Sequence, residues 1–174
     1  MSRATLIAHP TSPRGYPATI AVEYERRAAL LWLRFIVQDD PDLILWPSEA
    51  PPTRTENLWT HTCFEAFVST DKGYREFNLS PSGQWASYGF ADYREGMCAA
   101  DESVVVDGLD GGSDYMALEG RIDLPNDAVR LALSAIIETR DGEKTYWALA
   151  HPSDKPDFHH PDSFTLALPA PEPA

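Results

Sequence analysis

The chain has 174 residues and a formal net charge of −13, with 14 Lys and Arg against 27 Asp and Glu. That length normally makes one domain whose core needs no covalent staples, so residues 1–174 read as a single unit. So acidic a surface repels phosphate backbones and anionic lipid, which argues against nucleic-acid and membrane partners.

The N-terminal stretch MSRATLIAHPTSPRG lacks an apolar export segment and a small-residue cleavage site, so the expected location is cytoplasmic. A first strand is expected at Thr5–Ala8, followed by a Pro13-Arg14-Gly15 turn and a strand at Thr19–Tyr24. Ala28–Gln38 alternates strictly: Leu31, Leu33, Phe35 and Val37 take one face, and Leu30, Trp32, Arg34 and Ile36 the other. After the Asp-Asp-Pro-Asp break, a short strand is expected at Leu43–Leu45, then the Pro-rich loop Pro47–Arg54.

Strands follow at Cys63–Ser69, Tyr74–Leu79 and Trp85–Phe90, joined by Asp71-Lys72-Gly73 and by Ser80-Pro81-Ser82-Gly83. The second joint has Pro and Gly where a type I turn wants them. Phe90–Met97 could form one helical turn. Beyond it come a strand at Ser103–Val106, a solvated loop at Asp107–Asp114 and a strand at Tyr115–Leu124. The Asp107–Asp114 loop lacks the alternate-acid spacing and closing Glu of an EF-hand, which weighs against calcium.

Pro125–Val129 could make another helical turn. Strands are then expected at Arg130–Glu138 and Thr145–Ala150, joined tightly at Arg140–Glu143, and at Phe164–Leu168, before a tail at Pro169–Ala174 that should fray. About a dozen short strands at this spacing fit an all-β fold, an antiparallel β-sandwich or jelly roll. Oligomeric state stays open, since edge strands allow monomer and dimer alike.

The block Trp59–Met97 carries the chemistry. Alternation puts Phe64, Ala66, Val68, Phe77 and Leu79 on the core face. Glu65, Tyr74, Glu76 and Asn78 then fall opposite, with aromatics interleaved. Carboxylates and an amide can hold sugar hydroxyls while an aromatic stacks on the ring; Trp59 and Trp85, near strand ends, are the candidate platforms. The plain alternative is that Glu65 and Glu76 pair with Arg34, Arg75 or Arg121 as structural ion pairs.

In the proline-braced loop His151–Asp162, His159 and His160 could close the rim of such a cleft. A metal site from His151, His159, His160 and an Asp matches no standard spacing, and no metal is assigned. Cys63 and Cys98 read as buried or half-buried thiols. There is no nucleophile elbow, P-loop, His-Glu-x-x-His or dinucleotide fingerprint, so no catalytic residue is assigned. A hydrolase using Glu65 and Glu76 as paired carboxylates stands as an alternative.

The segments LWTHTCFEAFV, YREFNLSPSGQWASYGFADYREGM and WALAHPSDKPDFHHPDSF span about half the chain. They resemble the bacterial DOMON-like family, which is related to the family 9 carbohydrate-binding modules. The resemblance implies a jelly-roll sandwich with a ligand cleft, near which Glu65, Glu76, Asn78 and Trp85 match the motif. It implies a non-catalytic module for a carbohydrate-like or sugar-nucleotide ligand. Haem-binding relatives raise a second alternative, with Met97 or Met116 and His151 as axial ligands, although no spacing supports it.

Overall fold

The computed structural model describes residues 1–12 and 17–170. The Pro13-Arg14-Gly15 turn and the end of the tail lie outside the described residues. The strands are β1 (Ser2–Ala8), β2 (Thr19–Arg27), β3 (Leu30–Gln38), β4 (Cys63–Thr70), β5 (Gly73–Leu79) and β6 (Trp85–Phe90). They continue as β7 (Cys98–Ala99), β8 (Val104–Gly111), β9 (Tyr115–Asp123), β10 (Arg130–Glu138), β11 (Lys144–Ala148) and β12 (Leu166–Ala167).

All neighbouring strands are antiparallel, in the order β7-β6-β5-β4-β10-β11-β1-β2-β3-β9-β8, with β12 beside β10. The path is one curled sheet that turns at β1. Residues Ser2–Leu6 of β1 pair with β2, whereas Ile7 and Ala8 pair with β11.

The curl brings the inner faces of its two halves together. Phe35 of β3 meets Phe64 of β4 with ring centroids 5.0 Å apart. Leu31, Leu33, Val37, Leu118 and Ile122 from one half pack with Ala66, Val68, Phe77, Leu79 and Leu133 from the other in one buried cluster. The approach is close enough at Gly120 that a Cβ there would lie 2.4 Å from Leu79 Cδ2. Alternation produces this core directly, because each strand sends every second side chain inward.

Three local expectations change. Leu43–Leu45 is not a strand: Asp40 accepts a hydrogen bond from the Asp42 N–H, Pro41 starts a 3-10 turn at Pro41–Leu43, and only Ile44 bridges to Thr139. Pro at the first position and an Asp cap favour that turn over a ladder. The segment 91–97 is a tight loop with a bridge between Asp92 and Glu95, not a helical turn. The loop expected at Asp107 begins later, since β8 runs on to Gly111 through a bulge between Val106 and Gly108. Of the two free thiols, Cys63 is buried as expected, but Cys98 is exposed on the edge strand β7.

Candidate functional site

The outer face of β4, β5, β6, β10 and β11 does not face open solvent. Phe67, Tyr74, Tyr88, Phe90 and Ala132 from that face pack with Phe164, and with Phe158 and Leu58 from the loops, in a second buried cluster. The loop after β11 covers this surface and is pinned along its length. His151 Nε2 pairs with the Ile7 carbonyl, and His9 Nε2 with that of Ser153. Asp157 accepts hydrogen bonds from Arg94 Nη2 (2.7 Å), from Tyr93 Oη and from the His159 N–H. Arg94 adopts a left-handed φ of 54° in its loop.

Between the cover and the sheet lies a cavity of about 520 Å³. Its floor and walls include Glu65, Glu76, Tyr88, Phe90, Ile136 and Tyr146 from the strands. The covering side adds Trp59, Thr60, Arg94, Met97, Pro156, Phe158 and His159, and Lys144 completes it. Register explains the strand contribution, because directly paired antiparallel residues share a face. Ser134, Glu65, Asn78 and Ala86 form one such row, and Ala132, Phe67, Glu76 and Tyr88 the next. Glu65 and Glu76 are therefore diagonal neighbours on one face.

Both carboxyl groups are buried, at 3% and 6% exposure, and among the described residues neither forms an ion pair with an arginine. The candidate arginines are engaged elsewhere: Arg34 with Asp110 and Glu119, Arg75 with Glu102, and Arg121 with Asp107. Burial, reinforced by the nearby Glu76, holds the Glu65 carboxyl well above the usual carboxylate range against a weak hydrogen bond from Ser134. Burial also raises Glu76 to about 7, with the Asn78 amide and Arg94 holding it back. Both carboxyl groups are thus harder to ionise than a solvated glutamate, and Glu76 sits near its midpoint at pH 7. Cys63, beneath them, is kept as a neutral thiol by burial and by the two acids.

His159 lies between Glu76 and Tyr74. Tyr74 Oη accepts from the Arg94 N–H (3.1 Å) and lies 2.8 Å from His159 Nδ1; His159 Nε2 is 3.6 Å from Glu76 Oε2. Burial, with Arg94 nearby, lowers the His159 pKa to about 4 against the pull of Asp157. The ring is therefore neutral at pH 7, and its approach to Glu76 is not an ion pair. The tautomer that satisfies Tyr74 accepts the phenol proton at Nδ1 and points Nε2–H at Glu76. Burial raises the Tyr74 phenol, and burial with the 2.9 Å bond to Glu56 raises that of Tyr88.

Asn78 is fully buried; its amide lies near enough to Glu76 to ease that carboxyl's ionisation, yet neither Nδ2 nor Oδ1 makes a well-formed hydrogen bond with any described residue. An unsatisfied buried amide is costly and needs an explanation.

The structure thus gathers Glu65, Glu76, Trp59 and His159 at one cavity, with Asn78 on the same sheet face. Tyr74 stands behind His159 and lines an adjoining hollow with it. Trp85 goes elsewhere. It pairs with the core residue Leu79, so it points to the opposite face, where it packs against the main core under the Arg54 guanidinium, 4.7 Å from its ring. His160 is not at the cavity either: its Nδ1 accepts from the Asp162 N–H, and its ring lies near Tyr93. His151, His159 and His160 have three different sets of partners, so they do not converge as a ligand set would.

Arg94, Tyr88, Phe90, Tyr146, Phe158 and Lys144 were missed. Alternation would have found Tyr88 and Phe90 once their pairing with Glu76 and Tyr74 was known. No local signal marks the others.

No protein-family model matches the sequence, and no curated protein matches it. Among solved structures, a crystal structure from Bacteroides uniformis, of a protein proposed to bind carbohydrate, is similar. The TM-score is 0.59 at 14% identity, over 94% of this chain and 84% of that one. The likeness is one of fold. Among the described residues no helix is long and apolar enough to cross a membrane.

Proposed function

We propose that the cavity binds a carbohydrate-like or sugar-nucleotide ligand without transforming it. One observation carries this reading: Glu65, Glu76 and Asn78 lie buried on one sheet face with no cation or full set of hydrogen bonds to satisfy them, below aromatic side chains. Hydroxyl donors would complete those acceptors, and Trp59, half exposed at the mouth, offers a ring face for stacking. The fold-level likeness to a protein proposed to bind carbohydrate adds support. In this reading the curled sheet is a single jelly-roll domain akin to DOMON-like proteins and family 9 modules, and it acts in the cytoplasm on a soluble ligand.

A glycan array and titration calorimetry on the pure protein test the proposal. A sugar should bind, and Trp59→Ala and Glu76→Gln should each weaken it by at least about tenfold. Arg3→Gln, on the far half of the sheet, should leave it unchanged. A panel with no binder, or affinities indifferent to Trp59 and Glu76, would sink it.

The raised Glu76 pKa favours one second reading, a hydrolase with Glu76 as proton donor. Release of reducing ends from glycosides, abolished by Glu76→Gln, would establish it in place of simple binding. The haem alternative would draw on Met97, which lines the cavity, or Met116, which lies on β9 in the other half of the sheet, with His151, whose Nε2 pairs with the Ile7 carbonyl.

A further inference from the structure

Building on the sugar-like reading of the cavity, we infer that its ligand carries a protonated primary amine, as an amino sugar does, and that this ammonium docks among Glu65, Glu76 and the Asn78 amide.

The floor of the cavity is short of donors. Glu65 receives one long hydrogen bond, from Ser134 Oγ at 3.3 Å, and Glu76 faces His159 Nε2 at 3.6 Å. Asn78, wholly buried beside them, leaves both its carbonyl oxygen and its amide nitrogen without a hydrogen-bond partner among the described residues. The two carboxyl groups and the Asn78 carbonyl are thus three under-supplied acceptors on one sheet face. An ammonium brings three donors and no acceptor; a hydroxyl brings a single donor and lone pairs that the carboxylates repel.

Charge points the same way. The guanidinium of Arg94 is held by Asp157 at 2.7 Å. Lys144 lines the cavity and makes no ion pair with either acid. His159 is kept neutral by burial and by Arg94. Arg94 acts on Glu76 only from a distance, and among the described residues neither carboxyl group forms an ion pair with a lysine or arginine; a charged pair under such burial is favourable only when both charges and hydrogen bonds are matched. The ammonium keeps its own protons. Glu76, near its midpoint at pH 7, gives up its remaining proton to solvent as it takes up the new charge, so binding releases protons.

Calorimetry at pH 7 in two buffers of different ionisation enthalpy tests this. The probes are glucosamine, galactosamine and mannosamine, their N-acetyl forms, the parent hexoses and ethanolamine. At least one free amino sugar should bind at least about tenfold tighter than its N-acetyl and parent forms, with a buffer-dependent heat that reports proton release. Glu76→Gln and Glu65→Gln, each first shown folded by circular dichroism, should reduce that preference to below about twofold and suppress the release. Equal affinity for amino and N-acetyl sugars would overturn the inference and leave the sugar reading intact. Ethanolamine binding with proton release, but no hexose binding, would keep the amine site and overturn the sugar reading. No binding by any probe would overturn both.

Discussion

The outer faces of the two halves of the sheet follow the same alternation and treat their carboxylates in opposite ways. On β1, β2, β3, β8 and β9, outward acids are matched by cations: Arg3 with Glu23, Arg34 with Asp110 and Glu119, Arg121 with Asp107. Trp32 Nε1 donates to Glu119 in the same network. On β4 and β5 the outward acids Glu65 and Glu76 are buried under covering loops without such partners among the described residues. A face made for solvent satisfies its charges locally. One that leaves them unsatisfied under cover is, on the proposed function, arranged for a ligand.

The harshest test of this contrast concerns what both halves share. Phe64→Ala empties the contact with Phe35 at the centre of the core and should cost about 3–5 kcal/mol, read as a lower midpoint in urea unfolding. A small loss there would mean that the two halves do not depend on one another.

A subtler experiment separates the faces by pH. The folded pKa of Glu76 is raised from 4.5 to about 7, so its stability is fully present below pH 4.5 and is lost as pH rises through about 7. The His159 pKa is depressed from 6.5 to about 4, so the stability tied to its neutral form is present above pH 6.5 and is lost as pH falls towards 4. The two trends oppose each other between these limits. Glu76→Gln removes one of them, so the stability of the variant relative to the parent should climb by up to about 3 kcal/mol from pH 4.5 to pH 7. A Glu76→Gln difference that stays flat over that range would erase the distinction between the faces.

Smaller effects belong to the cover and the solvated ladder. Arg94→Ala frees Asp157 from a partly exposed pair and should lower stability by about 1 kcal/mol, with faster amide exchange around His159 as the finer readout. Arg3→Gln breaks a pair whose arginine is more than half exposed and should change thermal stability by less than about 0.5 kcal/mol.

Much of this arrangement could be read from the chain. The inward set Leu31, Leu33, Phe35, Val37, Phe64, Ala66, Val68, Phe77 and Leu79 follows from period two alone, as does the placing of Glu65, Tyr74, Glu76 and Asn78 on the other face. Trp85 shows the limit of such reasoning. Its position beside a turn suggested an exposed platform, but its face is fixed by pairing with Leu79, and pairing is a contact between strands. Tyr146 and Ile136 reach the cavity only because β11 lies beside β10 and β10 beside β4, although β4 and β10 are far apart in sequence.

The sequence by itself determined which residues are inward and outward on each strand, because alternation is a local property of the extended backbone. Tertiary structure alone decided that one outward face would be solvated and the other roofed. That outcome depends on strand order, on the turn of the sheet at β1, and on the anchoring of the 151–165 loop by Ile7, His9 and Arg94. These are long-range contacts whose free energy is gained only once distant segments meet, so no window of the chain records them. The same roof turns two ordinary strand glutamates into buried, donor-poor carboxyl groups.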